Sequence, residues 1–332
     1  MQNENFLKDV DWLSELKLRV SFGQTGNSNI GGNAYEYYEA GNQYVFGDAV
    51  QTGSIKSQLE NPDLKWETTT ELNVGLDFGF LNNRITGSFE YFHKVVSDLL
   101  AFRKLNSLME VSTIADNIGA TQSTGYEFSL NTVNLTGPFK WNTTLNISSY
   151  NDRWKERNPD VVLAPYEKED APIRAIYGCV SDGILQIGET PPASMPDLLP
   201  GQMKVKDLNG FDPNDGSKLL GHPDGKIDAA DRIYLGSTDP KVIIGFGNMF
   251  EYKNFDLNIF FYGMFGQYVA NSNRAKYGPS GCEYILQRQN YSKEVLERWT
   301  PDNPTNKFPS GFYSAYSVSY THLRAHETGR NL

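Results

Sequence analysis

The segment from Lys206 to Leu235 stands out for its hard oxygen ligands. DLNG (Asp207 to Gly210) and DGKIDAAD (Asp224 to Asp231) read as two halves of a calcium loop, split by the insertion Phe211 to Pro223. With that insertion excised, Asp207, Asn209 and Asp224 fall at loop positions 1, 3 and 5. Gly225 then takes the sharp turn, Lys226 offers its carbonyl at position 7, Asp228 sits at 9 and Asp231 at 12. Ca²⁺ takes oxygen ligands from carboxylates and carbonyls, and this spacing supplies both. Against that, an Asp at position 12 reaches less far than the usual Glu, and the insertion stands between the halves. The same side chains also suit a solvated turn in which Asp and Asn accept backbone N–H groups.

A second group is aromatic. Tyr35, Tyr37, Tyr38, Tyr44 and Phe46 crowd one stretch, with Trp154 and Tyr166 further on. Exposed rings among Asn, Gln and Asp suit contact with a sugar ring or a peptide. Rings that fold a loop onto itself, or that form an interfacial girdle, are the alternative. His322 and His326 stand four apart in THLRAHE, a spacing that pairs imidazoles for zinc on a helix, but no third ligand or general base accompanies them. His93 keeps the apolar parity of its stretch and reads as an interfacial residue. Two cysteines, Cys179 and Cys282, are too few for a disulfide framework. No nucleophile elbow or metalloprotease motif is present. Gly31-Gly32 and Gly245-Phe246-Gly247 lack the helix a phosphate loop requires. The many loop carboxylates single out no glycosidase pair. The expectation is a protein that is not an enzyme and requires no cofactor, with Ca²⁺ as the one candidate.

The elements that must carry these residues alternate with period two. Leu72, Val74, Leu76, Phe78 and Phe80 alternate with Asn73, Gly75, Asp77 and Gly79; after the turn LNN come Ile85, Gly87, Phe89 and Tyr91. Tyr126, Phe128, Leu130 and Thr132 lead through TGP into Phe139, Trp141, Thr143, Leu145 and Ile147. Val242, Ile244, Phe246, Asn248 and Phe250 lead through EYKN into Phe255, Leu257, Ile259 and Phe261. Leu16, Leu18, Val20 and Phe22 form another strand upstream. Such segments are apolar on one side and wet on the other.

Alternation alone fits a soluble sandwich as well as a membrane barrel. Three features favour the barrel. The strands reach about nine residues, the length of a tilted bilayer crossing. Their apolar parity carries no charge, where Arg or Lys would cost about 2–4 kcal/mol at mid-bilayer. Short turns within hairpins contrast with long connections between them, from Gln24 to Lys65, Val95 to Thr124 and Asn151 to Lys241. The composition agrees: 13% aromatic residues and 30 Gly favour strands and turns, and a net charge of −10 without a basic stripe argues against nucleic acid. Mean hydropathy is −0.49, and no run reaches the ~18 apolar residues of a transmembrane helix. MQNENFLKDVDW has no signal-peptide pattern, which predicts that the natural N-terminus lies upstream.

LKLRVSFGQTGN (Leu16 to Asn27), NPDLKWETTTELNVGLDFGFLNNRITGSFEYF (Asn61 to Phe92) and the run from Met203 to Gly266 resemble SusC/RagA-type TonB-linked outer-membrane proteins over roughly residues 10 to 315. The resemblance implies an all-β, antiparallel transmembrane barrel of about 22 strands with long extracellular loops and an N-terminal plug. It implies import of oligosaccharides or peptides across the outer membrane of Bacteroidota-type bacteria. Its partners would be a SusD-like lipoprotein acting as a lid, the TonB complex pulling on the plug, and outer-membrane lipid. Residues 1–317 are accordingly read as a partial, open barrel wall without plug or final strands. Residues 318–332, which hold the run SYTHLRAHETGRNL, resemble translated adapter sequence and are read as a non-native tail. A partial wall has two unpaired edges, so the chain alone is expected not to close a stable pore. The competing reading is a soluble or surface-attached β-rich glycan-binding module with a calcium-stapled loop.

Overall fold

The computed structural model describes residues 10–29, 35–106, 108–109, 111–269, 271 and 290–310. Gly31, Gly32, Cys282, His322, His326 and the tail 318–332 lie outside the described residues. The strands run β1 (Leu13–Asn27), β2 (Tyr37–Phe46), β3 (Ala49–Gln58), β4 (Glu67–Phe80), β5 (Ile85–Ser97), β6 (Leu100–Lys104), β7 (Thr113–Asn117), β8 (Ala120–Thr136) and β9 (Phe139–Glu156). They continue with β10 (Ala175–Gly178), β11 (Ser181–Ile184), β12 (Met203–Val205), β13 (Phe211–Asp212), β14 (Asp215–Leu219), β15 (Ile233–Ser237), β16 (Val242–Tyr252) and β17 (Phe255–Phe265). Two short 3₁₀ turns, Ala229–Asp231 and Lys293–Glu297, complete the described elements.

The first of two compact units (1–162, 169–173, 241–264) is dominated by one sheet in the order β1-β4-β5-β8-β9-β16-β17. All seven strands expected from period two are there. Leu81, Asn82 and Asn83 close the β4–β5 turn with φ of 54°, 53° and 61°, a left-handed region that Asn tolerates better than most residues. The strands outrun the sequence expectation at the loop side: β4 begins at Glu67, β5 continues to Ser97 and β9 to Glu156. Hydropathic alternation fades toward the long connections, but each backbone N–H still needs a partner, so pairing continues past it. The long connections also hold structure of their own: β2 pairs with β3, and β6 with β7.

The connection from Asn151 to Lys241 supplies most of the second unit (163–168, 174–240, 265–332) rather than an open loop. Leu185, Met195, Leu198 and Val205 form its buried core, flanked by Cys179 and Ile227. A segment of this length that carries its own apolar side chains folds on itself. Short ladders β10–β15, β11–β12 and β13–β14 frame it. Trp299 is buried, donates its indole N–H to Gln186 Oε1 at 2.9 Å, and packs where Gly201 leaves room, at φ 89°.

Candidate functional site

Residues opposite one another in an antiparallel pair share a face, so the registers sort the sheet into rows. One row joins Leu18, Leu76, Phe89, Phe128, Ile147 and Ile244 across six strands. The row below joins Leu16, Phe78, Gly87, Leu130, Leu145 and Phe246. Above come Val20, Val74, Tyr91 and Tyr126, then Phe22, Leu72, His93 and Thr124. On the edge strand β1 these side chains are bare, with Val20 64% and Phe22 72% exposed, and on the inner strands most are half-buried by their neighbours in the rows. A soluble module would bury such rows under a second layer, and that competing reading fails here. Lipid is the solvent that accepts them.

Rings border this face. Trp12 with Phe80, and Phe139 with Phe250 and Tyr252, cluster beside the short turns. Toward the long connections, Trp66 lies over Gly26, whose missing Cβ would sit 3.7 Å from the indole. His93 lies in the outward row with Phe22, Leu72 and Thr124, its Nδ1 2.8 Å from Thr124 Oγ1.

The opposite face is polar. Arg19 donates to both Asp77 oxygens at 2.8 Å and to Glu90 Oε1 at 2.6 Å. Gly75 makes this geometry available, because a Cβ there would stand 3.1 Å from Arg19 Cζ. Glu127 lies directly across from Glu90, and Ser88 across from Ser129 with their hydroxyls 2.8 Å apart. A hollow of about 360 Å³ lies on this face, walled by Glu90, Glu127, Asn146 and Ser148 and by the rings of Phe260 and Tyr262. The Arg19 network and these two rings were not picked out from sequence. Lys17, Arg19, Asp77 and Glu90 share one parity, which is the signal that finds the network. Phe260 and Tyr262 stand among apolar neighbours and carry no such signal.

The structure brings five of the predicted aromatics onto or beside one hairpin, β2–β3: Tyr35, Tyr37, Tyr38, Tyr44 and Phe46 are all exposed. Tyr38 faces Lys56 across the pair, with the ammonium 5.5 Å from the ring, and Lys56 bridges to Glu36 at 2.9 Å. The Tyr38 hydroxyl, and after it Lys56, hold the Glu36 carboxyl below its usual range, while the Glu36 carboxylate pushes the Tyr38 phenol up. Trp154 sits in β9 with Arg157 5.4 Å from its ring. Tyr166 belongs to the second unit, where it packs 5.3 Å from Tyr177 and accepts a hydrogen bond from Arg232 at 3.3 Å. The predicted aromatics are thus divided between the two units.

The two halves of the acidic loop do come together. The insertion closes as the β13–β14 hairpin, Leu220 N–H donates to the Gly210 carbonyl at 2.8 Å, and a Cβ on Gly210 would touch Asp224. Asp207 accepts N–H groups from Asp224 and Gly225, Asn209 from Gly210 and Gly221, and Asp224 from Lys226. Asp231 is fully buried and accepts from Leu208, Asn209 and Asp228, while Asp228 caps Ala230. Among the described residues, no group of three or more His, Cys, Asp and Glu side chains is gathered as metal ligands. A carboxylate offers about four lone-pair sites, so Asp207, Asp224 and the Lys226 carbonyl keep capacity, whereas Asp231 is nearly saturated by amides.

Residues 9–193 match the family model described as TonB dependent receptor-like, beta-barrel. TonB-dependent receptor P3 of Formosa agariphila is 31% identical over 360 aligned residues, covering 100% of this chain and 34% of that protein. TonB-dependent receptor SusC of Bacteroides thetaiotaomicron is 33% identical, covering 89% of this chain and 30% of its own length. The chain thus spans about a third of the curated relatives it matches. A solved structure of the RagAB peptide transporter superposes with a TM-score of 0.71 over 93% of this chain and 32% of that one, at 23% identity, which establishes a shared fold.

Proposed function

Because this chain belongs to the TonB-dependent receptor β-barrel family, a family of outer-membrane transport proteins, we propose that it is part of the wall of an importer for oligosaccharides or peptides. The observation that carries this reading is the two-faced sheet: uncharged apolar rows on one side, and the Arg19–Asp77–Glu90 network with its hollow on the other. One face meets hydrocarbon and the other a wet lumen. The mechanism is capture followed by gated passage, with no covalent chemistry. A SusD-like lipoprotein covers the mouth, and TonB acts on a plug carried elsewhere in the whole protein. SusC and RagAB among the similar proteins support that partnership.

Tyr35, Tyr37, Tyr38 and Tyr44 offer rings to passing cargo, and Trp154 and Tyr166 offer two more. Calcium is proposed only as a staple of the closed loop, held by Asp207, Asn209, Asp224 and the Lys226 carbonyl, with Asp228 and Asp231 securing the backbone. A strain lacking the gene, grown on a panel of oligosaccharides and peptides as sole carbon source, tests the importer reading. Loss of growth on one class, restored by the full-length gene, is expected. Undiminished growth and uptake across both classes overturns it.

A further inference from the structure

The outward row that starts with Phe80 and Ile85 turns polar on its next three strands, where the rows beside it stay aliphatic or aromatic. Thr132, Thr143 and Asn248 lie opposite one another on β8, β9 and β16, directly below Leu130, Leu145 and Phe246. A bulge between Val133 and Leu135 turns Asn134 into the same row. The next row carries Leu135, Trp141 and Phe250, and beyond it Lys253 stands 5.3 Å from the ring of Tyr252 at the turn.

The direction of every hydrogen bond in this row is fixed by chemistry. Trp141 Nε1 only donates, so its partner at 2.9 Å is the Asn248 oxygen and the Asn248 NH₂ faces away. That oxygen also accepts from the Thr143 hydroxyl at 2.8 Å. Having spent its one proton there, Thr143 Oγ1 accepts from Asn134 Nδ2 at 2.8 Å, and Asn134 Oδ1 accepts from Thr132 at 3.0 Å. The chain therefore ends in an amide NH₂ on Asn248 that takes no hydrogen bond among the described residues. At the edge of the hydrocarbon such a donor calls for a polar acceptor from outside the chain.

The geometry points to a phospholipid site: Asn248 Nδ2 donates to the ester or phosphate oxygens of a glycerophospholipid in the leaflet on the turn side, and the hydrocarbon boundary runs between Phe246 and Asn248. This rests on the membrane reading above. Short turns are periplasmic in outer-membrane barrels, so the lipid belongs to the inner leaflet, where acyl esters lie just above the aromatic girdle.

The test uses the full-length protein, purified in detergent and exposed to dioleoyl phosphatidylethanolamine, with bound lipid counted by native mass spectrometry. Asn248→Asp is isosteric and keeps the acceptor for Trp141 and Thr143 but removes the donors. It is expected to retain at least threefold less lipid than wild type, as is Asn248→Leu. Asn131→Leu, on the opposite face, is expected to retain the wild-type amount. Wild-type retention by Asn248→Asp, or an equal loss in Asn131→Leu, overturns the site. A heat-shifted band on a gel reports the barrel independently: variants that shift yet keep their lipid refute this site alone, whereas a wild type that never shifts refutes the membrane reading.

Discussion

Asp231 is fully buried and receives three backbone N–H groups through part-buried hydrogen bonds, so Asp231→Ala leaves those three donors without their acceptor. A buried unsatisfied donor costs about 1–3 kcal/mol and a partly solvated one less, and the expected outcome is a local stability loss of about 1–3 kcal/mol, read as faster amide exchange at Leu208, Asn209 and Asp228. The ligand order of this loop is legible in the sequence. Its amide bonding is not, because one oxygen serves a cation or an N–H equally well. Calcium titration by calorimetry separates the two: the staple expects heat in the wild type that Asp224→Ala abolishes, and equal heats overturn it. On the β2–β3 hairpin the signs follow from Glu36. An acid whose folded pKa is lowered adds stability that is present above the ordinary carboxylate range and lost as pH falls through the lowered value. Acidification should therefore loosen the hairpin. The Tyr38 phenol should titrate above its ordinary value of 10.0 and fall back in Glu36→Gln, as read by NMR of labelled tyrosine at that position.

Strand identity follows from side-chain parity, and parity is what a membrane writes into a sequence. That is why β1, β4, β5, β8, β9, β16 and β17 were legible to within a few residues at the turn side. The same logic failed where water bathes both faces, so β2, β3, β6 and β7 gave no signal, and it failed at the Val133/Leu135 bulge, where one extra residue resets the alternation. Two substitutions test the element-level account. Gly87 sits under the Phe78 ring, and a Cβ there would stand 2.3 Å from the Ser129 carbonyl oxygen. Gly87→Ala must push β5 from β8, and a loss of about 2 kcal/mol or more is expected in urea unfolding from lipid. Leu76→Arg places a charge in the middle outward row and should cost about 2–4 kcal/mol in the same assay. A neutral result for Leu76→Arg would mean that row does not meet lipid.

At the scale of the molecule, backbone pairing decides what these 332 residues can do by themselves. Among the described residues the sheet ends at β1 on one side and β17 on the other, neither with a second neighbour. Bacterial outer-membrane barrels have at least eight strands, and this sheet has seven. In hydrocarbon every unpaired N–H and C=O at an edge costs several kcal/mol, a penalty that eleven-residue strands such as β17 multiply along their length. Among the described residues no strand pairs with either edge, and a closed wall needs both edges paired. Expressed alone in an outer membrane, the polypeptide should therefore give no heat-shifting band and should aggregate on extraction. The full-length protein, in which both edges find partners, should run compact until boiled. A compact, heat-shifting band from the 332 residues alone would mean that β1 and β17 find partners within the chain itself, and the open-wall account would fall with it.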